Sequence, residues 1–547
     1  MRRKIIGIFM CILMVVSVVL PVAGNLNKSE NEKSIQFVGL VTKSIPTSQM
    51  NVPLTRVTPR PLYSEDFDPL DEHIIVTVTI NEIRALKTID ILSNPDFYLK
   101  VTINDTEFVS DVWENMRYLE NLNWSASCEV LKDTELVNIT IALWDKGTGV
   151  DLLCDISRDY GSFQQRRTAE LTYSIATGVW WGDDNSWDDM SGIGRLSGID
   201  DHSIYEEDRD CELWFTITQT DFDGDGLPYW LEVNMYNTSP LINNLGEDAD
   251  GDGIPIEWEY RFGLHYYEGY GYYNDFDPFV WEDHATQDWD NDGLTNIEEY
   301  KTWQWGSDPW QQDIFIELDQ MEIGPKGKGS FVPIEAFDIL RDSYARHNIV
   351  WHIDDGRLGG GEKTIPFREH VNDNDLSLLY WKYFMHGDAQ NWRRGVFRWC
   401  IVGYNLSWVI GRSAPGFIFE SKINETSAVD CLYISTLYHD MRAKIFPIID
   451  GLHRGTFNRE MNRASVYAGV IMHETGHTLG IYAPGCDAPD CVWPWQSNYW
   501  LYAPYKSCMN YRYTYRGIVD YSDGSRGKND FDDWDVIDLT LFNPSAS

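Results

Sequence analysis

The chain has 547 residues, 43% hydrophobic and 14% aromatic, enough for about two to four packed domains rather than a disordered polymer. Its formal net charge of -41 excludes nucleic acid as a partner, because phosphate binding requires the opposite sign. Solubility, a saline habitat or cation-binding carboxylates remain as reasons for the acidity.

Arg2, Arg3 and Lys4, the apolar run over residues 5–20 and the small residues of PVAG predict a secretory leader over 1–24. An uncleaved anchor is the alternative, since the run approaches spanning length. No later stretch is apolar enough to span. The mature chain is expected to be secreted, extracellular or held at the cell surface, with no stable membrane insertion after cleavage. Of nine cysteines, Cys11 would leave with the leader, and the remaining even number suits disulfides in an exported protein. Cys128 with Cys154, Cys400 with Cys431, and two of Cys486, Cys491 and Cys508 are local choices among many pairings. Oligomeric state is not encoded in any pattern.

Residues 25–67 are polar, Pro- and Ser-bearing and without period, as in a propeptide or linker. From 68 to 220, HIIVTVTINEI, DFYLKVTI, LVNITIALW and CELWFTIT alternate with polar turns, which predicts a β-sandwich. Asp90 and Asp96 before a YLKV strand, and Asp145 and Asp151 around the turn after LVNITIALW, resemble the calcium loops of C2 domains. Gly147 stands where that pattern wants a further Asp.

Residues 221–312 hold an internal repeat: DFDGDGLPYWLE, DADGDGIPIEWE and DWDNDGLTNIEE. Asp221, Asp248 and Asp288 open the frames; Asp223, Asp250 and Asp290, then Asp225, Asp252 and Asp292, follow at alternate positions. Gly226, Gly253 and Gly293 come next, and Glu232, Glu259 and Glu299 close the frames. This is the ligand spacing of a calcium loop, where hard oxygens wrap the ion, the Gly permits a sharp turn and the last Glu binds with both oxygens. With their tails (NMYNTSPL, WQWGSDP) the frames resemble the thrombospondin type 3-like repeats of secreted prokaryotic proteins, which implies a connector stiffened by Ca2+.

From 313 to 547 the pattern is mixed α/β. DIFIELDQM, IVWHIDDG, RRGVFRWCIVGYNL and PGFIFESKI read as strands, and FVPIEAFDILRDSYARHN and NRASVYAGVIMHETGHTLGI as helices. On the second helix His473 and His477 share one face, as two ligands of one zinc ion must. Glu474 is placed to take a proton from a metal-activated water. Gly480 after HETGH, and the SCMNY stretch with Met509 and Tyr511, resemble the active-site helix and Met-turn of metzincin proteases. That resemblance implies a zinc-dependent endopeptidase acting on polypeptide substrates, with Tyr511 as oxyanion stabiliser.

The third zinc ligand is open. The metzincin pattern wants His or Asp where this chain has Ala483, and no His or Glu follows Thr478. Asp487 is the first carboxylate after the helix and the leading candidate; Asp490, Cys486, Cys491, Cys508 or an upstream His352 or His453 are the others. The expected architecture is thus multidomain: a C2-like β-sandwich, a calcium-binding repeat connector and a metzincin-like α/β catalytic domain. The alternative function is an adhesive or structural surface protein whose protease-like head is inert.

Overall fold

The structure is a computed structural model. It describes residues 55–56, 66–86, 89, 93–158, 166–184, 193–198, 209–267, 271–356, 358–359, 364–409, 412–414, 416–423, 426–445, 459–483, 491–514, 516–543 and 545–546. The leader, nearly all of the 25–67 segment, Asp90, His453, Cys486, Asp487 and Asp490 lie outside the described residues.

The N-terminal unit is the expected β-sandwich. One antiparallel sheet runs Trp180–Gly182, Ala169–Ser174, Leu136–Asp145, Phe97–Ile103, Thr106–Val109. The other runs Gly194–Ser197, Cys211–Gln219, Ile74–Ala85, Tyr118–Leu119, with Trp124–Val130 also paired to Ile74–Ala85. Period-two sequence makes the sandwich: Ile74, Val76, Val78 and Ile80 point into the core. Thr77 and Thr79 face outward and bond Ser127 and Ser125, each at 2.9 Å.

In the C-terminal unit five strands, β1 (Asp313–Met321), β2 (Val350–Asp354), β3 (Phe397–Gly403), β4 (Gly416–Ile423) and β5 (Thr426–Ser435), form the order β2-β1-β3-β5-β4. All pairs are parallel except β4 with β5, which puts an antiparallel strand at the edge. Helices cover both faces, so β3 reads FRWCIVG and is buried throughout. Ile314, Ile316, Val402 and Leu432 pack against helices Glu335–Ala345 and Arg459–Thr478. Phe315, Trp399, Ile401 and Tyr433 pack on the opposite face, against helix Asp373–Leu379.

Polar contacts of arginines join the two units. Glu212 accepts from both Arg84 and Arg195, and Arg195 continues to Asn348 at 2.7 Å. Arg341 reaches back to Glu120 at 2.8 Å.

The first two local pairings are corrected: among the described residues Cys128, Cys154, Cys211, Cys400, Cys431 and Cys508 are free, while Cys486 lies outside them. Trp399, not Cys400, is the register partner of Cys431, so the two Cys side chains project to opposite faces of the sheet. Cys154 packs beside Cys211 rather than Cys128, and burial pushes the Cys211 thiol up.

Candidate metal centre

Helix Arg459–Thr478 is buried on every side from Ala464 to Thr478, with Tyr467, Ala468, Ile471 and Met472 in the core between it and the sheet. It stops at Gly480, whose φ of 83° only a residue without Cβ adopts freely. The amide of Ile481 returns to the Gly476 carbonyl at 2.9 Å and that of Gly480 to His477 at 3.3 Å, a Schellman cap. This cap turns the chain beneath the helix and brings the Ile481 carbonyl to His477.

His473, Glu474 and His477 are buried together, with candidate ligand atoms within 4.8 Å of one another. Nδ1 of His473 lies 2.9 Å from the Cys508 carbonyl, and Nδ1 of His477 lies 2.9 Å from the Ile481 carbonyl. A carbonyl only accepts, so both Nδ1 atoms carry hydrogens and donate. In the neutral rings the Nε2 atoms then carry the lone pairs, and they face each other 3.2 Å apart. Two nitrogens bound to one tetrahedral ion at about 2.0–2.1 Å stand roughly 3.3 Å apart. The backbone thus fixes the tautomer and direction of both rings, as it does around metal-ligating histidines generally.

The 507–514 turn underlies this pair. The Cys508 carbonyl also accepts from Thr514 Oγ1 at 2.6 Å, and Asn510 Nδ2 holds the Tyr502 and Tyr505 carbonyls at 2.9 Å each. Met509 is fully buried, and a Cβ added at Gly476 would meet its sulfur at 2.6 Å. The Tyr511 ring lies 5.3 Å from that of His473 and is half-buried. Tyr521 donates to the Met472 carbonyl at 2.7 Å. Gly476, Thr514 and Tyr521 were not singled out in the sequence; the glycine within HETGH is the signal from which the close approach of the turn could have been read.

Ala483 is buried in the apolar core and offers no donor. His352 is not at this centre: it stacks on Phe315, 4.2 Å away on the sheet's opposite face, and its Nε2 lies 2.6 Å from Asp313. Cys491 and Cys508 are buried in the helix-side core, and burial pushes the Cys508 thiol well up, against thiolate formation without a cation.

The three repeats superpose in their bonding. Gly226, Gly253 and Gly293, at φ 87°, 105° and 95°, donate to Asp221, Asp248 and Asp288 at 2.7, 3.0 and 3.1 Å. Each loop exits into a short helix that carries the closing Glu. A further regularity lies in the tails. Asn244, Glu282 and Asp313, each four positions after a Pro (Pro240, Pro278, Pro309), donate their amides to Oδ2 of Asp225, Asp252 and Asp292 at 2.9, 3.3 and 2.7 Å.

Buried oxygens of Asp223, Glu232, Asp250, Glu259 and Asp290 have no hydrogen-bond partner. Burial, then neighbouring carboxylates, pushes Glu259 up to about 10; burial pushes Glu232 up to about 8 against a Thr238 hydrogen bond. Like charges gathered in a desolvated loop call for a cation, so the donor sets fit hard divalent ions.

At the end of the sandwich, Asp96 donates its amide to Asp145 at 2.7 Å, so the two loops do meet. The Lys146 ammonium reaches Asp151 at 2.9 Å and places a positive charge in that cluster. A side chain at Gly147 would meet the Val150 carbonyl at 2.1 Å, which accounts for the missing Asp.

No protein-family model matches the chain, and no curated protein is similar to it. Similar solved structures include human GIVD cytosolic phospholipase A2 in complex with methyl gamma-linolenyl fluorophosphonate, at 14% identity and TM-score 0.17 over 27% of this chain and 17% of that one. A solved C2 domain matches at 14% identity and TM-score 0.17, over 26% of this chain and 98% of its own. A C2 domain of plant extended synaptotagmin 1 matches at 12% identity and TM-score 0.17, over 27% and 93%. Likenesses at these scores bear on neither activity nor ligand. No helix among the described residues is long and apolar enough to cross a membrane.

Proposed function

We propose that the chain is a secreted zinc-dependent endopeptidase, in which calcium-filled repeats join a C2-like sandwich to a metzincin-like catalytic unit. The observation that carries this reading is the His473–His477 pair: two lone pairs 3.2 Å apart, each ring locked by a backbone carbonyl, with Glu474 beside them. Zinc, when bound, polarises water and lowers its pKa toward neutrality. Glu474 takes the proton of the attacking water and delivers it to the departing amine. Tyr511 donates to the developing oxyanion. Asp487 is the leading third ligand. Strand β4 pairs with β5 on one side and with no strand on the other among the described residues, which leaves an edge for an extended polypeptide substrate.

The test is Glu474→Gln. We expect the variant to keep its zinc and lose casein cleavage by about 10²–10⁴-fold, the range of general-base catalysis. Cleavage at the native rate overturns the mechanism.

A second reading, an inert head on an adhesive or structural surface protein, draws on the buried, donorless Ala483. It requires no stoichiometric zinc, and a zinc-loaded native chain that cleaves casein excludes it.

A further inference from the structure

The position-twelve glutamates are not treated alike in the three repeats. Glu232 accepts from the Thr238 hydroxyl at 3.1 Å, and Glu299 accepts from the Ser307 hydroxyl. Glu259 has no such hydroxyl, and neither of its buried oxygens has a hydrogen-bond partner. An imidazole stands there instead. His284 is fully buried, with Nε2 3.1 Å from Asp252 Oδ2 and 3.7 Å from Glu259 Oε1. Its ring is wedged edge-on against Phe276 and Trp258, at 5.5 and 6.3 Å between centroids.

From this geometry we infer that Asp252, Glu259 and His284 form a binding site for an imidazole-accepting divalent ion of the zinc class, distinct in kind from the all-oxygen first and third loops. The inference rests on the reading of the repeats as cation loops and is independent of the protease reading. Calcium takes oxygen ligands, whereas zinc and its neighbours accept nitrogen readily. The second sphere fits. His284 Nδ1 lies 2.8 Å from the Asn296 amide, whose Oδ1 is buried without a partner. Turning that amide over, with Gln287 beside it following, lets Nδ1–H donate to Oδ1 and frees the Nε2 lone pair for the ion. The competing arrangement, with Nε2–H donating to Asp252, leaves both Glu259 oxygens unsatisfied, two buried acceptors on one carboxylate where buried polar atoms are nearly always paired.

The test uses the full chain, crystallised with calcium in excess and one equivalent of zinc per candidate site. An anomalous-scattering peak specific to the zinc edge between Asp252, Glu259 and His284 is expected. In solution, His284→Gln is expected to lose one zinc per chain and to keep the calcium of the first and third loops. Absence of the peak in the unaltered protein overturns the inference, whether or not the variant folds. A peak or zinc count unchanged in His284→Gln assigns the imidazole a hydrogen-bonding role only, and also overturns it. Failure of the underlying repeat reading is separate, since it appears as absence of calcium from the first and third loops.

Discussion

His473 and His477 turn their Nε2 atoms toward each other at 3.2 Å while Cys508 and Ile481 hold their Nδ1 hydrogens. Held in this way, the pair presents two of the ligands that a three-residue zinc site requires. The native mature chain should carry zinc at this pair, and Asp487→Ala should lose it. Zinc per chain, measured at constant calcium in both proteins, checks this. Retention in the variant moves the third ligand to Asp490 or a cysteine; absence from both proteins favours the inert head.

Gly476 decides how close the Met509 turn can come. Alanine in a helix interior gains about 1 kcal/mol over glycine from propensity alone. A Cβ at 476 would stand 2.6 Å from the Met509 sulfur and 3.1 Å from Tyr521, and overpacking costs about 1–3 kcal/mol. We expect Gly476→Ala to lower the urea midpoint, and Met509→Ala added to it to be less damaging than the two single effects summed. A stabilised Gly476→Ala chain would show that propensity wins and that the turn yields.

The repeats and HETGH were legible because each needs fixed spacings of residues with few substitutes: carboxylates at alternate positions, glycine at a left-handed turn, imidazoles one helical turn apart. Ile74–Ala85 was legible from its alternation and Phe397–Gly403 as an apolar run, whereas Thr426–Ser435, which pairs on both sides in the C-terminal sheet, was not named. What was not legible depends on contacts distant in sequence. The tail amides that close the loops come from Asn244, Glu282 and Asp313, and backbone donors leave no residue signature. The Cys400–Cys431 pairing failed because parallel register, not sequence separation, decides which face a side chain takes.

Glu317 on β1 gives a pH test independent of any metal. It is buried, and its Arg393 partner, 2.6 Å away, also serves Asp354, so one guanidinium faces two carboxylates. Burial outweighs Arg393 and pushes Glu317 up to about 8 from its ordinary 4.5. A carboxyl with a raised folded-state pKa favours the fold below 4.5, and that contribution is lost as pH rises through about 8. Thermal midpoints of native and Glu317→Gln protein should therefore converge or cross between these limits, the native curve falling faster. Parallel curves would mean that Arg393 keeps Glu317 ionised.

The third repeat loop is tied to helix Arg459–Thr478 through the C-terminal tail. Asn543 donates to the Gly293 carbonyl at 2.8 Å, Asp538 donates its amide to Leu479 at 3.0 Å, and Arg398 spans from the Leu539 carbonyl to Thr478 Oγ1. Asp313, whose amide bonds Asp292, is also the first residue of β1. The first loop lacks these connections among the described residues. Asp290→Asn should therefore lose calcium and reduce casein cleavage by about 10–100-fold, the cost of a displacement of about 1 Å at a reacting centre, with zinc content unchanged. Asp223→Asn should lose calcium with a much smaller effect on rate. Equal effects from the two loops would mean that calcium stabilises the chain as a whole and does not position the helix.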